Sequence, residues 1–246
     1  MLRQNRFLSL ALVLSLLAGG SQAQTDQPPT DQPAIGESTS TRAAAEFYEK
    51  ALIAHNLGEM REALIYLRNA LKEDPLLLPA HLLLGKVYLS LGEGEKGEKQ
   101  LLIADGLGAH RSLIQNSLAR AYLMQGRPQQ LIDELFPMGA SATEDAELLA
   151  LRGEALLELD QLFDAQRAFS QAWEMNPRSV AAILGRVRLL LMDGEIEQAN
   201  ALARNAVEIA PTNARAWYLK GALSNALGDL AGALTDYEKA TELLPS

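Results

Sequence analysis

Three histidines are the residues in this sequence best suited to bind a metal, and their spacing does not support a metal site. His55, His81 and His110 each lie far from a second histidine, and no His-Glu-x-x-His or similar pattern occurs. Zinc sites take three or four ligands from histidine, cysteine or carboxylate side chains at characteristic spacings. The sequence also contains no cysteine, which excludes a thiolate nucleophile and thiolate-bound metals. We therefore predict that the protein binds no metal.

Carboxylates and serines are numerous, but their arrangement does not predict a catalytic site. Acidic residues such as Glu154, Glu158 and Asp164 recur at the spacing of a solvent-exposed helix face. No serine has the flanking glycines of a nucleophile elbow. The glycine-containing stretch at residues 92–94 lacks the Lys-Ser/Thr pair that follows in a phosphate-binding loop. We expect neither enzymatic activity nor a cofactor.

The charge of the chain argues against two classes of partner. The chain carries 31 acidic and 22 basic residues, for a formal net charge of −9. Nucleic acid and anionic lipid both require a basic surface, so neither is an expected partner. Without cysteine there is also no disulfide framework, and stability must come from packing alone.

The first 23 residues have the pattern of a secretory signal peptide. Arg3 and Arg6 precede an apolar run at residues 7–18, and Ser21-Gln22-Ala23 is typical of a cleavage site. The apolar run is shorter than the ~20 residues that span a bilayer. A retained N-terminal anchor helix is the alternative interpretation. We expect an exported protein, periplasmic in a bacterium, without membrane insertion once the signal is removed.

Residues 24–43 are predicted to form a disordered linker. The stretch repeats Thr-Asp-Gln-Pro and carries no large apolar cluster, so burial cannot offset the entropy cost of ordering it.

From Ala44 onward the sequence repeats every thirty-four residues. Pro75, Pro177, Pro211 and Pro245 fall on one phase of this period, and each is placed to end a helix. A period of this length indicates a stacked array of identical supersecondary units. We divide the chain into six helix-turn-helix units, residues 44–77, 78–111, 112–145, 146–179, 180–213 and 214–246.

Small residues recur at fixed places, counted from the first residue of each unit. The turn between the two helices carries glycine in five units and Asp160 in the fourth, which suits a left-handed residue that closes a helix. The eighth place is small except at Val187, and alanine fills the twenty-seventh except at Met138. The fourth place is large except where His81 and Gln115 depart from the pattern. This pattern resembles the tetratricopeptide repeat family, and the resemblance implies a right-handed, all-α solenoid that binds other proteins.

The third unit is the least regular. Its second helix is predicted to begin at Pro128 and to stop early at Phe136-Pro137. Ser141 then offers a capping box for the next helix. Two interpretations remain open: simple sequence drift, or a hinge between the first three units and the last three.

In the resembled family, the first helices of successive units line a concave groove. Places five, nine and twelve of each unit share one helix face, and we predict that they form the partner-binding surface. The predicted residues are Tyr48, Leu82, Lys86, Leu89, Asn116, Arg120, Leu123, Glu154, Leu157, Leu184, Arg188, Leu191, Tyr218 and Asn225. Such a surface suits a protein or peptide with aliphatic and acidic residues. The alternative is that the leucines only pack between neighbouring units.

These observations predict an exported scaffold that binds a partner protein or peptide in its groove. An assembly component of a bacterial envelope machine, for a pilus, secretion or exopolysaccharide export, is the alternative by analogy with the resembled family. We also expect self-association through the last repeat, because a terminal repeat normally needs a polar cap.

Overall fold

The structure is a computed structural model that describes residues 39–244, which contain twelve α-helices and no strand. The predicted signal peptide and residues 24–38 of the predicted linker lie outside this range. The helices are α1 (Thr39–Asn56), α2 (Met60–Glu73), α3 (Leu78–Ser90), α4 (Gly94–Gly106), α5 (Arg111–Met124), α6 (Pro128–Glu134), α7 (Ala142–Glu158), α8 (Leu162–Met175), α9 (Val180–Met192), α10 (Ile196–Ile209), α11 (Ala214–Ala226) and α12 (Leu230–Glu242). The predicted all-α fold is confirmed.

The helices pack as six antiparallel pairs in chain order. Each odd-numbered helix contacts the even-numbered helix that follows it, and each pair packs on the next. Odd-numbered helices also lie against the odd-numbered helices of adjoining units, whereas within residues 39–244 the backbones of the even-numbered helices lie farther from one another. The first helices of the units are therefore crowded together and the second helices are spread apart. This places the first helices on the concave face.

Local sequence signals set the helix ends. The helices α2, α8 and α10 each stop two residues before a proline, because proline disfavours helical geometry in the residue before it. The turn of the first unit contains Gly58 with a φ of +83°, in the left-handed region that glycine adopts without strain. Asp160 occupies the same place of the fourth unit with a φ of +59°. It is the one non-glycine residue with positive φ within residues 39–244.

One buried aromatic ring joins the fourth and fifth units. The Phe169 side chain is fully buried on α8, and it packs against glycines of the first helices of both units. A Cβ atom built on Gly153 would lie 2.7 Å from the ring, and one built on Gly185 would lie 2.0 Å from it. Helices approach this closely only where side chains leave room. Glycine at these two places therefore allows the ring to fill the space between the helices.

The first helix extends into the predicted linker. It begins at Thr39, five residues before the predicted start of the array, so residues 39–43 are helical. The Ser40 hydroxyl donates a hydrogen bond to the main-chain carbonyl of Glu73 over 2.6 Å. This contact joins the extra turn to α2, which offsets part of the cost of ordering it.

Polar contacts from α7 hold the irregular part of the third unit. After the short helix α6, Asp145 accepts hydrogen bonds from the main-chain N–H groups of Met138 and Gly139, at 3.2 and 2.8 Å. Arg152 donates to the main-chain carbonyl of Leu135 over 2.5 Å, and its guanidinium lies 4.9 Å from the centre of the Phe136 ring. Partial burial lowers the pKa of Arg152. The segment that replaces the end of a longer helix is thus fixed by two charged side chains, and the hinge remains a hypothesis.

Candidate partner-binding groove

A groove of about 570 Å³ lies on the concave face of the second to fourth units. Its walls come from the first helices α3, α5 and α7, and one further residue, Arg215, comes from α11. Six residues predicted from the sequence line it: Lys86, Leu89, Asn116, Arg120, Leu123 and Glu154. The repeat register brings these six together, because each sits on the same face of a first helix.

The other predicted residues lie outside this groove and differ in exposure. Tyr48, Leu82, Leu157 and Leu191 are half-buried and pack against the cores of their units, whereas Tyr218 and Asn225 are exposed on α11. Leu184 is only 2% exposed and belongs to the core with Ile183 and Ala216. Its side chain is not accessible to a partner, so Leu184 leaves the candidate set.

Three groove residues that the sequence reasoning missed share place two of their units. Leu113, Glu147 and Arg215 all line the groove. Place two lies three residues before place five and seven before place nine, so it falls on the same helix face. The i, i+3, i+7 spacing was therefore the signal that could have found them.

Two ion pairs neutralise the middle of the groove. Arg120 binds Glu147 with its Nη2 2.6 Å from Glu147 Oε1. Glu154 accepts a hydrogen bond from Nη1 of Arg215 over 2.7 Å, although the two residues are 61 positions apart. The side chains of Lys86 and Arg188 make no hydrogen bond or ion pair with any residue from 39 to 244. Among the described residues that line the groove, Lys86 is thus the unpaired cation. Arg188 is also unpaired, but it does not line the groove.

Asn116 is held in the wall of the groove by a hydrogen bond to α7. Its amide nitrogen donates to the main-chain carbonyl of Glu144 over 3.1 Å. Its Oδ1 is buried and has no hydrogen-bond partner among the described residues, so this oxygen is not accessible to a bound segment. The groove therefore offers one unpaired cation and aliphatic walls.

The histidines take part in local contacts. His81 is buried, its Nε2 donates to the main-chain carbonyl of Pro75 over 3.0 Å, and its Nδ1 lies 2.8 Å from the Gln100 side chain. His110 caps the start of α5, where its Nδ1 accepts from the N–H of Ser112. Within residues 39–244 there is no group of three or more side chains that could hold a metal ion. No helix in that range has the length and apolar character needed to cross a membrane.

A stack of paired helices with a groove along its first helices defines the class of α-solenoid repeat proteins. Models of the tetratricopeptide repeat match residues 44–75, 156–223 and 214–246, which together make up half of the chain. The chain belongs to the tetratricopeptide repeat family. No curated protein matches the sequence.

Three solved structures of similar fold cover more than four fifths of this chain. PilF of Pseudomonas aeruginosa superposes with a TM-score of 0.56 at 19% identity, over 84% of this chain and 94% of that one. PilW, described as a widely conserved type IV pilus biogenesis factor, gives a TM-score of 0.57 at 17% identity, over 81% and 91% of the two chains. A chain of the APC/C hetero-tetramer Cut9–Hcn1 gives 0.64 at 14% identity, over 82% of this chain and 40% of that one. At these identities the similarity shows the fold alone.

Proposed function

We propose that this protein is an exported, periplasmic scaffold that binds a segment of a partner protein in the groove of its second to fourth units. The observation that carries the proposal is the groove itself, in which the register of the repeat aligns apolar walls with an unpaired positive charge. Leu89 and Leu123 supply apolar surface, and Lys86 supplies the positive charge. The groups suit binding, and none of them forms a catalytic constellation.

The chemistry of the groove favours a particular kind of segment. Aliphatic side chains of the partner would cover the leucine walls, and an acidic side chain would pair with Lys86. A volume of about 570 Å³ suits the side chains of a short stretch of one partner chain. A nucleic acid partner is disfavoured by the acidic composition.

Two lysines offer a matched test. Lys86 on α3 and Lys99 on α4 are both exposed, and neither has an ion pair within residues 39–244. The first lines the groove and the second lies on a second helix. Partners would be trapped by photo-crosslinking from Leu123 in envelope extracts and identified by mass spectrometry, and their affinity measured for each variant. Lys86→Glu should weaken binding about tenfold and Lys99→Glu should not, because only the former reverses a charge that the partner contacts.

One outcome of this binding test would contradict the proposal. If Lys86→Glu and Lys99→Glu bind the trapped partner with equal affinity, the groove is not the binding surface. Circular dichroism of both variants must match that of the parent, so that a loss of binding is not a loss of fold.

A second proposal is an assembly component of a bacterial envelope machine, such as one for a pilus, secretion or exopolysaccharide export. The signal-like pattern of residues 1–23 favours a location in the envelope. PilW, a type IV pilus biogenesis factor of similar fold, is a precedent for such a role. Deletion of the gene should then impair one envelope structure while the cells continue to grow. Normal pili, secretion and capsule in the deletion strain would contradict it.

The last helix supports a proposal of self-association. Leu230 and Leu234 on α12 are 69% and 61% exposed. The matching residues of the first unit, Met60 and Leu64, pack instead against the core shared with the next unit. We expect Leu230→Glu with Leu234→Glu to abolish concentration-dependent sedimentation. A parent protein that sediments as a monomer at every concentration would remove this proposal.

A further inference from the structure

The repeat register predicts one place on the concave face where two like charges meet. Arg120, at place nine of the third unit, binds Glu147, at place two of the fourth. Place nine of one unit therefore lies beside place two of the next. In the fifth and sixth units the same two places hold Arg188 and Arg215. Where the earlier units have an ion pair, the register sets two guanidinium groups together.

The partner of Arg215 comes from a more distant unit. Glu154 stands at place nine of the fourth unit, and place two of the fifth is Ala181, which offers no charge. Arg215 fills that gap from the sixth unit by donating from Nη1 to Glu154 Oε1 over 2.7 Å. Two positive groups without a shared counterion repel each other. Arg215 is therefore favoured to point toward Glu154 and away from Arg188. Arg188 is left without an ion pair among the described residues.

Arg215 retains donor capacity after binding Glu154. Its Nε and Nη2 make no hydrogen bond within residues 39–244, and its side chain is 48% exposed, against 14% for Glu154. A guanidinium carries five N–H donors in a planar fork, and its free edge can bind a second carboxylate through two parallel hydrogen bonds. Glu154 thus fixes the position of Arg215 without using its whole donor set.

We propose that Arg188 and Arg215 form an acid-binding site at the end of the groove, which takes a carboxylate side chain of the bound segment. The proposal rests on the proposed function, because it assigns a subsite to the same bound segment. Arg215 lines the groove, so a segment lying along α3, α5 and α7 reaches Arg215 directly. Arg120 does not bind an acidic residue of the segment, because its guanidinium already forms an ion pair with Glu147. Acidic residues of the segment therefore bind near Lys86 and at Arg188 and Arg215, and not between these two places.

The first experiment needs no partner. Arg188→Glu places a carboxylate beside Arg215, so its Tm should rise by about 1–2 °C at low salt and the rise should shrink in 1 M NaCl. Arg120→Glu is the matched reversal at the same place of the third unit, and it should lower the Tm because it sets two carboxylates together. If Arg188→Glu lowers the Tm as Arg120→Glu does, the two arginines are not neighbours and the proposal fails, whatever the groove binds.

The second experiment uses a hexaglutamate peptide as the probe, labelled for fluorescence anisotropy. Arg188→Gln and Arg215→Gln should each bind the peptide about tenfold more weakly than the parent, and Arg204→Gln, at an exposed place on the second helix α10, should bind as the parent does. Equal losses in all three variants, no loss in any, or no binding by the parent would each overturn the acid site. If the peptide result holds and the Lys86 test on a trapped protein fails, the proposed function is wrong while the acid site stands.

Discussion

Replacing Gly185 with alanine should destabilise the protein, against the general helix preference for alanine. Gly185 lies within α9, where alanine normally gains about 1 kcal/mol over glycine. The added Cβ would lie 2.0 Å from Cε1 of Phe169, 2.2 Å from Cδ1 and 2.5 Å from Cζ. Normal contacts of a methyl group begin near 3.5 Å, so the fully buried ring must move.

The size of the effect follows from these distances. Overpacking a well-packed core costs about 1–3 kcal/mol, and the upper part of that range applies because three ring atoms are too close. After subtraction of the helix preference, Gly185→Ala should lower the free energy of unfolding by about 1–2 kcal/mol. Gly106→Ala is the matched control, since a Cβ there meets no atom within 4 Å. It should leave stability unchanged or raise it by up to about 1 kcal/mol.

Urea unfolding followed by circular dichroism measures each change. A double-mutant cycle with Phe169→Leu tests the cause, because a smaller side chain gives the new methyl group room. Phe169→Leu alone leaves a cavity and is destabilising. In that background Gly185→Ala should cost at least about 1 kcal/mol less than in the parent. If Gly185→Ala is as stable as the parent, or if its full cost persists in the Phe169→Leu background, the ring is not the obstacle.

Three further predictions concern other contacts. Arg152→Met should lower the free energy of unfolding by about 1–3 kcal/mol in urea melts, because the carbonyl of Leu135 loses its charged donor. The control is Arg167→Met, which removes an exposed ion pair and should change the free energy of unfolding by less than about 1 kcal/mol. Burial, followed by donation to Glu134, raises the pKa of Tyr122 to about 12, so its stabilisation is complete below the unfolded pKa of about 10 and is lost as the pH rises from 10 to 12. Absorbance titration should show a tyrosinate that forms near pH 12 and that Tyr122→Phe removes, and a titration of all tyrosines near pH 10 would contradict it. Ala233→Trp should cost about 1–3 kcal/mol at the crossing of α11 and α12, and an unchanged melting curve would count against the assigned register.

The regular parts of the fold follow from signals that act over a few residues. Proline ends a helix and glycine closes a turn without help from distant parts of the chain, so the six units could be placed from the sequence. The early stop of α6 was predicted for the same reason. His81 and Gln115 departed from the pattern of large residues at place four, yet both are buried in the positions that the register assigns. The register therefore persists where residue type changes.

Contacts between distant units could not be predicted, because sequence spacing does not reveal which charges meet. The pairing of Glu154 with Arg215 joins the fourth and sixth units across 61 positions of the chain. The extra turn of α1 depends on a hydrogen bond from Ser40 to the far end of α2. Place two was omitted from the predicted groove although its helical spacing was available, so that omission was a gap in reasoning and not in the signal.

The link between Glu154 and Arg215 also bears on how the array comes apart. Stacked repeats are usually treated as a one-dimensional series in which a unit senses only the units on either side of it. The ion pair between Glu154 and Arg215 links the fourth unit to the sixth and so adds coupling between units that are not adjacent. The coupling energy is modest because the pair is partly exposed. Fraying from the C-terminal end must break this ion pair, so amide protons of α11 should exchange together with those of α7 near Glu154, as one cooperative block.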